Sequence, residues 1–247
     1  MTFPAAIWIL SGATGLCAGS YVATAALRQS QGRGATLGRS HCDHCGVLLG
    51  IMATAPVVSF VQRQGACDTC GGTIDPVHLV GELAGAGVVL SAVALASPVR
   101  ALPLSVLGLL LLFSAAVDAK TQRLPDWASL AIAVLGAGLA ATTSPMALLT
   151  GLASALVVFI ILELVRRLVA RHRGQPALGF GDVKLLAALA IWTGLYTSWV
   201  VALAAALGLA VIAVRRPMGG QIAFGPFIAA GAWMVGLGVE AHLWPAL

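Results

Sequence analysis

Long apolar runs separated by short polar joints make up most of the chain. The first covers about Phe3 to Leu27 and stops at Arg28; others follow near 78–97, 101–117, 127–143, 146–165, 183–214 and 222–243. A bilayer-crossing helix needs about 17–25 such residues, so each run is read as membrane-spanning. The run 183–214 is long for one helix and short for two, and the segment Gly194 to Ser198 offers a turn between a short helix and a full one. With that turn the pattern predicts an all-α polytopic membrane protein of about eight transmembrane helices; without it, seven. The first run has no basic region ahead of it and no polar stop before Arg28, which predicts a retained helix and not a cleaved signal. One stretch interrupts the pattern. Gln29 to about Pro76 holds four of the five cysteines, three arginines and three aspartates, and is expected to lie in water between the first and second spans.

Composition agrees and removes the alternatives. Hydrophobic residues make up 59% of the 247 positions and charged residues 9%, where an ordinary soluble protein carries roughly 25% charged. Mean hydropathy is +0.96. So few charges cannot furnish the surface of a soluble domain, and so much apolar content excludes a disordered chain. The net charge of +5 suggests nucleic acid only if the bases gather on one folded face. They report topology instead. In the eight-span arrangement Arg28, Arg33, Arg39, Arg63, Lys120, Arg123, Arg166, Arg167, Arg171, Arg173, Lys184, Arg215 and Arg216 share one side, and Arg100 alone takes the other. The excess marks the cytoplasmic side, which places both termini outside and the cysteine segment in the cytoplasm. A seven-span arrangement would strand Arg215 and Arg216, so eight is favoured. No nucleic-acid partner is expected.

Cys42-x2-Cys45 and Cys67-x2-Cys70, with 21 residues between the pairs, have the layout of a four-thiolate zinc site of the ribbon kind. The intervening spacing is slightly longer than usual. Gly46, Gly71 and Gly72 follow the pairs, as tight knuckles require. Two disulfides are the other reading, which a reducing cytoplasm disfavours. Four thiolates leave no open coordination position, so the zinc is expected to be structural, with His41 and His44 as bystanders. Cys17, alone in the first span, is expected to be a small packed residue.

The chain has nine acids. Asp43, Asp68 and Asp75 belong to the polar segment. The other six lie in or beside spans, where an ionisable group is costly and is a functional candidate by default. Glu240 is expected to reach the interface at the outer end of the last helix. Glu163 stands one turn from Arg166 and Arg167 and is expected to pair with them. Asp126 follows Pro125 and is expected to cap a helix. Two acids resist such explanations. Asp118 falls at the cytoplasmic end of its span, where the helix dipole disfavours an anion. Asp182 closes Gly179-Phe180-Gly181-Asp182; capping is its ordinary reading, but two glycines allow closer backbone approach than a cap needs. Both lie on the same side at similar depth. Two facing carboxylates share one proton, so that one acts as base and the other as acid toward water and a peptide carbonyl.

The chain resembles the bacterial type IV prepilin peptidases, a family of GxGD-type intramembrane aspartic proteases. Gly15-Leu16-Cys17-Ala18-Gly19-Ser20-Tyr21 is similar to the family's GLxxGSF, and the paired Cys-x2-Cys motifs match its cytoplasmic domain. Asp118 through Pro125-Asp126 is similar to its D-x6-P-D, Gly179 through Leu185 to its GxGDxKL, and Phe224-Gly225-Pro226-Phe227 to its PFGPF. The resemblance implies an aspartic endopeptidase of the bacterial inner membrane, with Asp118 and Asp182 catalytic. It also implies a prepilin or pseudopilin substrate of pilus or type II secretion systems, cut after a glycine at the cytoplasmic face. Many members also N-methylate the new terminus with S-adenosylmethionine. Departures from the family pattern gather in and around the cysteine segment: Ala23-Thr24 for the usual Asn-Val, Ala66 for a base, and Val77-His78-Leu79 for Arg-Tyr-Pro, with Glu82 retained. The resulting division is a first transmembrane helix at 1–28, a tetracysteine zinc-binding domain at 29–77 and a transmembrane peptidase domain at 78–247. Membrane lipid is the other expected partner. The alternative from another class is a transporter using the intramembrane acids as ion ligands.

Overall fold

The computed structural model describes residues 4–33, 39–175, 178–215 and 222–243. Among the described residues nine α-helices follow in order: α1 (Ala5–Ser30), α2 (Val58–Gln62), α3 (Val77–Leu95), α4 (Pro98–Thr121), α5 (Asp126–Thr143), α6 (Pro145–Arg173), α7 (Phe180–Thr193), α8 (Thr197–Arg215) and α9 (Gly225–Glu240). Among the described residues, extended pairing is limited to two isolated antiparallel bridges in the cysteine segment, His41 with Leu48 and Ala66 with Thr73. Helices α1, α3, α4, α5 and α6 and the continuous α7–α8 stretch are long and apolar enough to cross a membrane, and α9 is a shorter apolar helix. The protein is an all-α, multi-pass membrane protein. Two compact units divide it, Met1–Ala94 and Leu95–Leu247.

In the first unit α1 and α3 run antiparallel in close contact. Gly15, Gly19 and Ala23 recur every fourth residue on α1 and meet Gly81 and Gly85 on α3. A Cβ on Gly85 would stand 2.5 Å from the Gly15 carbonyl oxygen, and one on Gly15 would stand 2.6 Å from the Ala86 Cα. Small residues at this spacing let two backbones approach where lipid tails supply no hydrophobic drive between helices. This is the physical content of the GLCAGS segment. Cys17 lies off that face and is exposed, so it is not the packed residue expected.

Among the described residues the second unit is a bundle of six helices, α4 to α9, in alternating directions. Near one end Arg100, Leu139, Thr142, Trp192 and Glu240 converge; near the other lie Asp118, Asp126, Asp182, Lys184 and Gly225. The stretch 180–214 is two helices. Gly194 turns the chain with φ 55° and ψ −132°, a conformation open only to glycine. Packing against α9 then proves the reversal: Trp192 meets Gly236, Val200 and Ala204 meet Gly231, and Gly208 meets Phe224 and Phe227. The contacts climb α9 along α7 and descend it along α8. Counting α7, α8 and α9 as separate passes with α1 and α3–α6 gives the eight expected helices. Of the bases used to argue orientation, Arg216 lies outside the described residues.

With 14 residues, α7 is about 21 Å long at 1.5 Å per residue, well short of a hydrocarbon core of about 30 Å. Its side chains are nonetheless the most enclosed: Val183, Leu185, Leu189 and Ala190 are fully buried, with Leu104, Leu107, Ile132 and Ile228 around them. Large apolar residues such as Leu130, Val134, Leu149, Leu156, Ile160 and Leu164 face outward, as lipid solvation requires. Thus α7 is a short central helix sheathed by longer ones, with Phe180 at its start exposed.

Candidate active site and metal centre

The four Sγ atoms of Cys42, Cys45, Cys67 and Cys70 all lie within 4.8 Å of one another. Two equivalent knuckles bring them there. The Gly46 amide donates to the Cys42 carbonyl and the Gly71 amide to the Cys67 carbonyl, both at 2.9 Å. Gly46 and Gly71 each turn with φ near +70°, at 71° and 69°, while Gly72 leaves room for the His44 ring, whose Cδ2 a Cβ at 72 would meet at 2.7 Å. Cys42 and Cys70 sulfurs stand 3.8 Å apart, about the edge of a tetrahedron with metal–sulfur bonds of about 2.3 Å. The cluster is therefore built to hold a soft metal ion. Amides of Thr69 and Cys70 donate to Cys67 and bring its thiol down to about 6, which favours the ligating thiolate. His44 bonds the Thr73 carbonyl and His41 faces Arg33 and the Arg39 carbonyl. Both histidines stand outside the ligand set, as expected.

Asp118 lies in the last turn of α4 and is 4% exposed. The helix stops at Gln122, which takes a left-handed φ of 54° and returns its amide to the Asp118 carbonyl at 2.7 Å. Leu124 then passes over Gly181, whose absent Cβ would meet the Leu124 Cβ at 3.1 Å. That close approach carries α4 to the start of α7. Asp182 is the third residue of α7. It is not the cap, which is Gly179; its carboxylate reaches back to the Gly179 amide, the return half of a capping box. Asp118 and Asp182 are near enough for the Asp118 charge to act on Asp182. The two acids singled out in the sequence are thus brought together, on separate helices, in a largely buried setting.

A third group completes this corner. The amide of Gly225, first residue of α9, donates to Asp118 Oδ2 at 2.7 Å. The dipole argument that made Asp118 anomalous has its answer here: the N-terminus of α9 offsets the C-terminus of α4. Sequence reasoning noted Phe224-Gly225-Pro226-Phe227 only by resemblance and gave Gly225 no role.

The remaining acids divide. Glu163 accepts from Arg166 Nε at 2.7 Å and Arg167 Nε at 2.6 Å, as expected. Asp126 differs from expectation: Pro125 is the cap of α5, and the Asp126 carboxylate pairs with Lys184 on α7. Glu240 also differs. It does not reach the interface; its side chain is 4% exposed and held by Arg100 at 2.6 Å and by Trp192 Nε1 at 3.1 Å. Arg100 also donates to the Leu139 carbonyl and to Thr142 and Thr143, closing the C-terminus of α5. In the first unit the buried Glu82 accepts from Ser20 Oγ at 2.8 Å and the Val57 amide at 2.7 Å. It lines a polar cavity with Thr24, His41, Asp75 and His78.

Two family models match the chain. One, described as the type IV leader peptidase family, covers residues 105–214; the other, the bacterial peptidase A24 N-terminal domain, covers residues 13–96. The prepilin leader peptidase/N-methyltransferase of Burkholderia pseudomallei (strain K96243) is 36% identical over 211 residues, which are 78% of this chain and 65% of that protein. Its namesake from Klebsiella pneumoniae is 34% identical over 171 residues, 68% of this chain and 74% of its own. The one from Dichelobacter nodosus is 30% identical over 204 residues, 79% and 69%. The chain thus spans slightly under two thirds of the Burkholderia relative's length. No solved structure matches.

Proposed function

The chain belongs to the type IV leader peptidase family, and from that premise we propose that it is an intramembrane aspartic endopeptidase removing leader peptides from prepilins or type II secretion pseudopilins. The observation that carries this reading is the meeting of Asp118 and Asp182 at the ends of two helices. One carboxylate, ionised, takes a proton from water as it attacks the scissile carbonyl, while the other, protonated, gives its proton to the carbonyl oxygen; on collapse the first passes the water proton to the leaving amine and the second takes a proton back from the gem-diol. The Gly225 amide holds Asp118 in place through this exchange. Both aspartates stand at one end of the bundle and not at mid-depth, which suits cleavage at a membrane face and does not suit an ion-carrying transporter.

By the positive-inside reading that face is cytoplasmic, the membrane is the bacterial inner membrane, and the metal-binding segment lies in the cytoplasm. The first helix at 1–28, the tetracysteine domain at 29–77 and the peptidase domain at 78–247 are its working parts. The metal is zinc, held structurally by Cys42, Cys45, Cys67 and Cys70. N-methylation of the new terminus is a second activity, with S-adenosylmethionine as the donor and the Glu82 cavity as its place. Membrane lipid is the medium in which substrate and enzyme helices meet.

The test is mass spectrometry of a purified pilin-type precursor after incubation with the enzyme. Cleavage after the leader glycine is expected, and an added methyl mass reports the second activity. Asp118→Asn and Asp182→Asn should each abolish the cut; wild-type rates in either would end the proposal.

A further inference from the structure

Asp126 and Lys184 are eight residues after Asp118 and two after Asp182. Their ion pair therefore joins the segment leaving one aspartate to the helix that carries the other. Between these attachments the chain is pinched at Leu124 against Gly181. Lys184 is not a loose surface cation: its Nζ lies 4.9 Å from the centre of the Phe180 ring. That ring meets Phe159 of α6 edge-on at 6.3 Å and stands 5.2 Å from the Arg166 guanidinium. The lysine is thus held in place on the bundle, and the more exposed member of the pair is Asp126, 76% exposed at its side chain.

We propose that the Asp126–Lys184 pair is an electrostatic strap that sets the separation of Asp118 and Asp182, making both of its members positioning residues for peptide cleavage. This rests on the aspartyl-protease reading above. Neither residue touches the reacting atoms. With the strap closed, Leu124 stays seated on Gly181 and α4 cannot draw away from α7 at the end where the aspartates meet. With it open, that seat depends on the Leu124 contact alone, and the carboxylates spend less time at the spacing that allows one shared proton. The consequence falls on the chemical step and not on substrate affinity.

The test uses the full-length enzyme in detergent micelles and a purified prepilin-type precursor. Asp126→Asn and Lys184→Gln are each expected to lower kcat about fivefold, as for a partly exposed pair whose loss loosens a catalytic geometry, with KM within about twofold of wild type. Lys184→Arg and the charge exchange Asp126→Lys with Lys184→Asp should recover kcat to within about threefold of wild type. Raising ionic strength from about 0.05 to 0.5 M should lower kcat of the wild type toward that of the single variants, because screening opens the strap, and should leave those variants flat. A merely structural role would not produce that salt dependence. Wild-type kcat in both single variants, or an exchange variant no faster than the slower single variant, would overturn the proposal. Asp118→Asn run in parallel separates the two readings: if it is inactive while both strap variants are normal, only the strap fails; if it cleaves normally, the protease reading fails with it.

Discussion

Gly225 and Asp118, 107 positions apart, meet backbone to side chain: the Gly225 amide reaches Asp118 Oδ2 at 2.7 Å. Only a glycine fits there. A Cβ at position 225 would lie 2.8 Å from that oxygen and 2.9 Å from the Asp118 Cβ, so the buried Asp118 side chain would have to shift to admit it. The bond turns the N-terminus of α9 toward a carboxylate that its own helix disfavours. It also ties α9 to α4 at the end opposite Arg100 and Glu240.

Gly225→Ala is therefore expected to act on catalysis more than on folding. The added methyl displaces the Asp118 carboxylate, and a misplacement approaching 1 Å costs on the order of 10²-fold in rate. Initial rates of precursor cleavage, with thermal stability measured beside them, decide it. A variant that cleaves at the wild-type rate would show that the amide contact is incidental.

How far this arrangement can be read from the sequence depends on the range of the interaction. Spans are legible because a bilayer demands unbroken apolar runs, and the reversal at Gly194 because a 14-residue helix must end somewhere. The aspartates stand out because charge inside a membrane needs a reason. Partners are another matter. Asp126 reads as a cap from its neighbour Pro125, yet its carboxylate is claimed by Lys184, 58 positions away. Glu240 reads as an interfacial residue from its place near a helix end, yet Arg100 lies 140 positions away. Cys17 belongs to the GLCAGS segment, but helical geometry places it off the face that Gly15 and Gly19 use. In each case local spacing names the residue and only the packing of helices names its contact.

The Arg100–Glu240 pair makes a prediction about stability. Arg100 side-chain exposure is 19% and that of Glu240 is 4%, so removing one partner leaves a largely buried charge. Glu240→Leu and Arg100→Met should each destabilise the second unit by about 3–5 kcal/mol, and the double variant by much less than their sum. Thermal unfolding in detergent is the measurement. Additive losses would mean that Arg100 serves mainly the carbonyl end of α5.

The α1–α3 contact should be intolerant of bulk. Gly19→Leu places a side chain against the Gly81–Glu82 backbone, whose Glu82 Cα would lie 3.0 Å from the new Cβ, and there is no flexible neighbour to yield. The helices must part, which also separates Ser20 from Glu82. Limited proteolysis is expected to cut the 50–64 region faster, since the Glu82 carboxylate that holds the Val57 amide moves with α3. Tyr21→Leu, on an exposed part of the same helix, is the control and should leave the digestion pattern unchanged. Identical digestion of wild type and Gly19→Leu would refute the contact's importance.

Metal removal gives the last prediction. The cysteine segment has little apolar core of its own; in residues 39–75 the one buried hydrophobic residue is Cys67, itself a ligand. Its two knuckles and two isolated bridges bury too little to hold a fold, so the metal supplies the missing stabilisation, as it does in other small four-thiolate modules. Elemental analysis of the purified protein should find one zinc per chain. Cys42→Ser or Cys67→Ser should lose it. A strong chelator should expose all four thiols to alkylation, while helical content falls only slightly because the helices of the described residues lie almost wholly outside the segment. Zinc-free protein whose four thiols remain protected from alkylation would show that the knuckles stand without a metal, and the structural role assigned to it would be wrong.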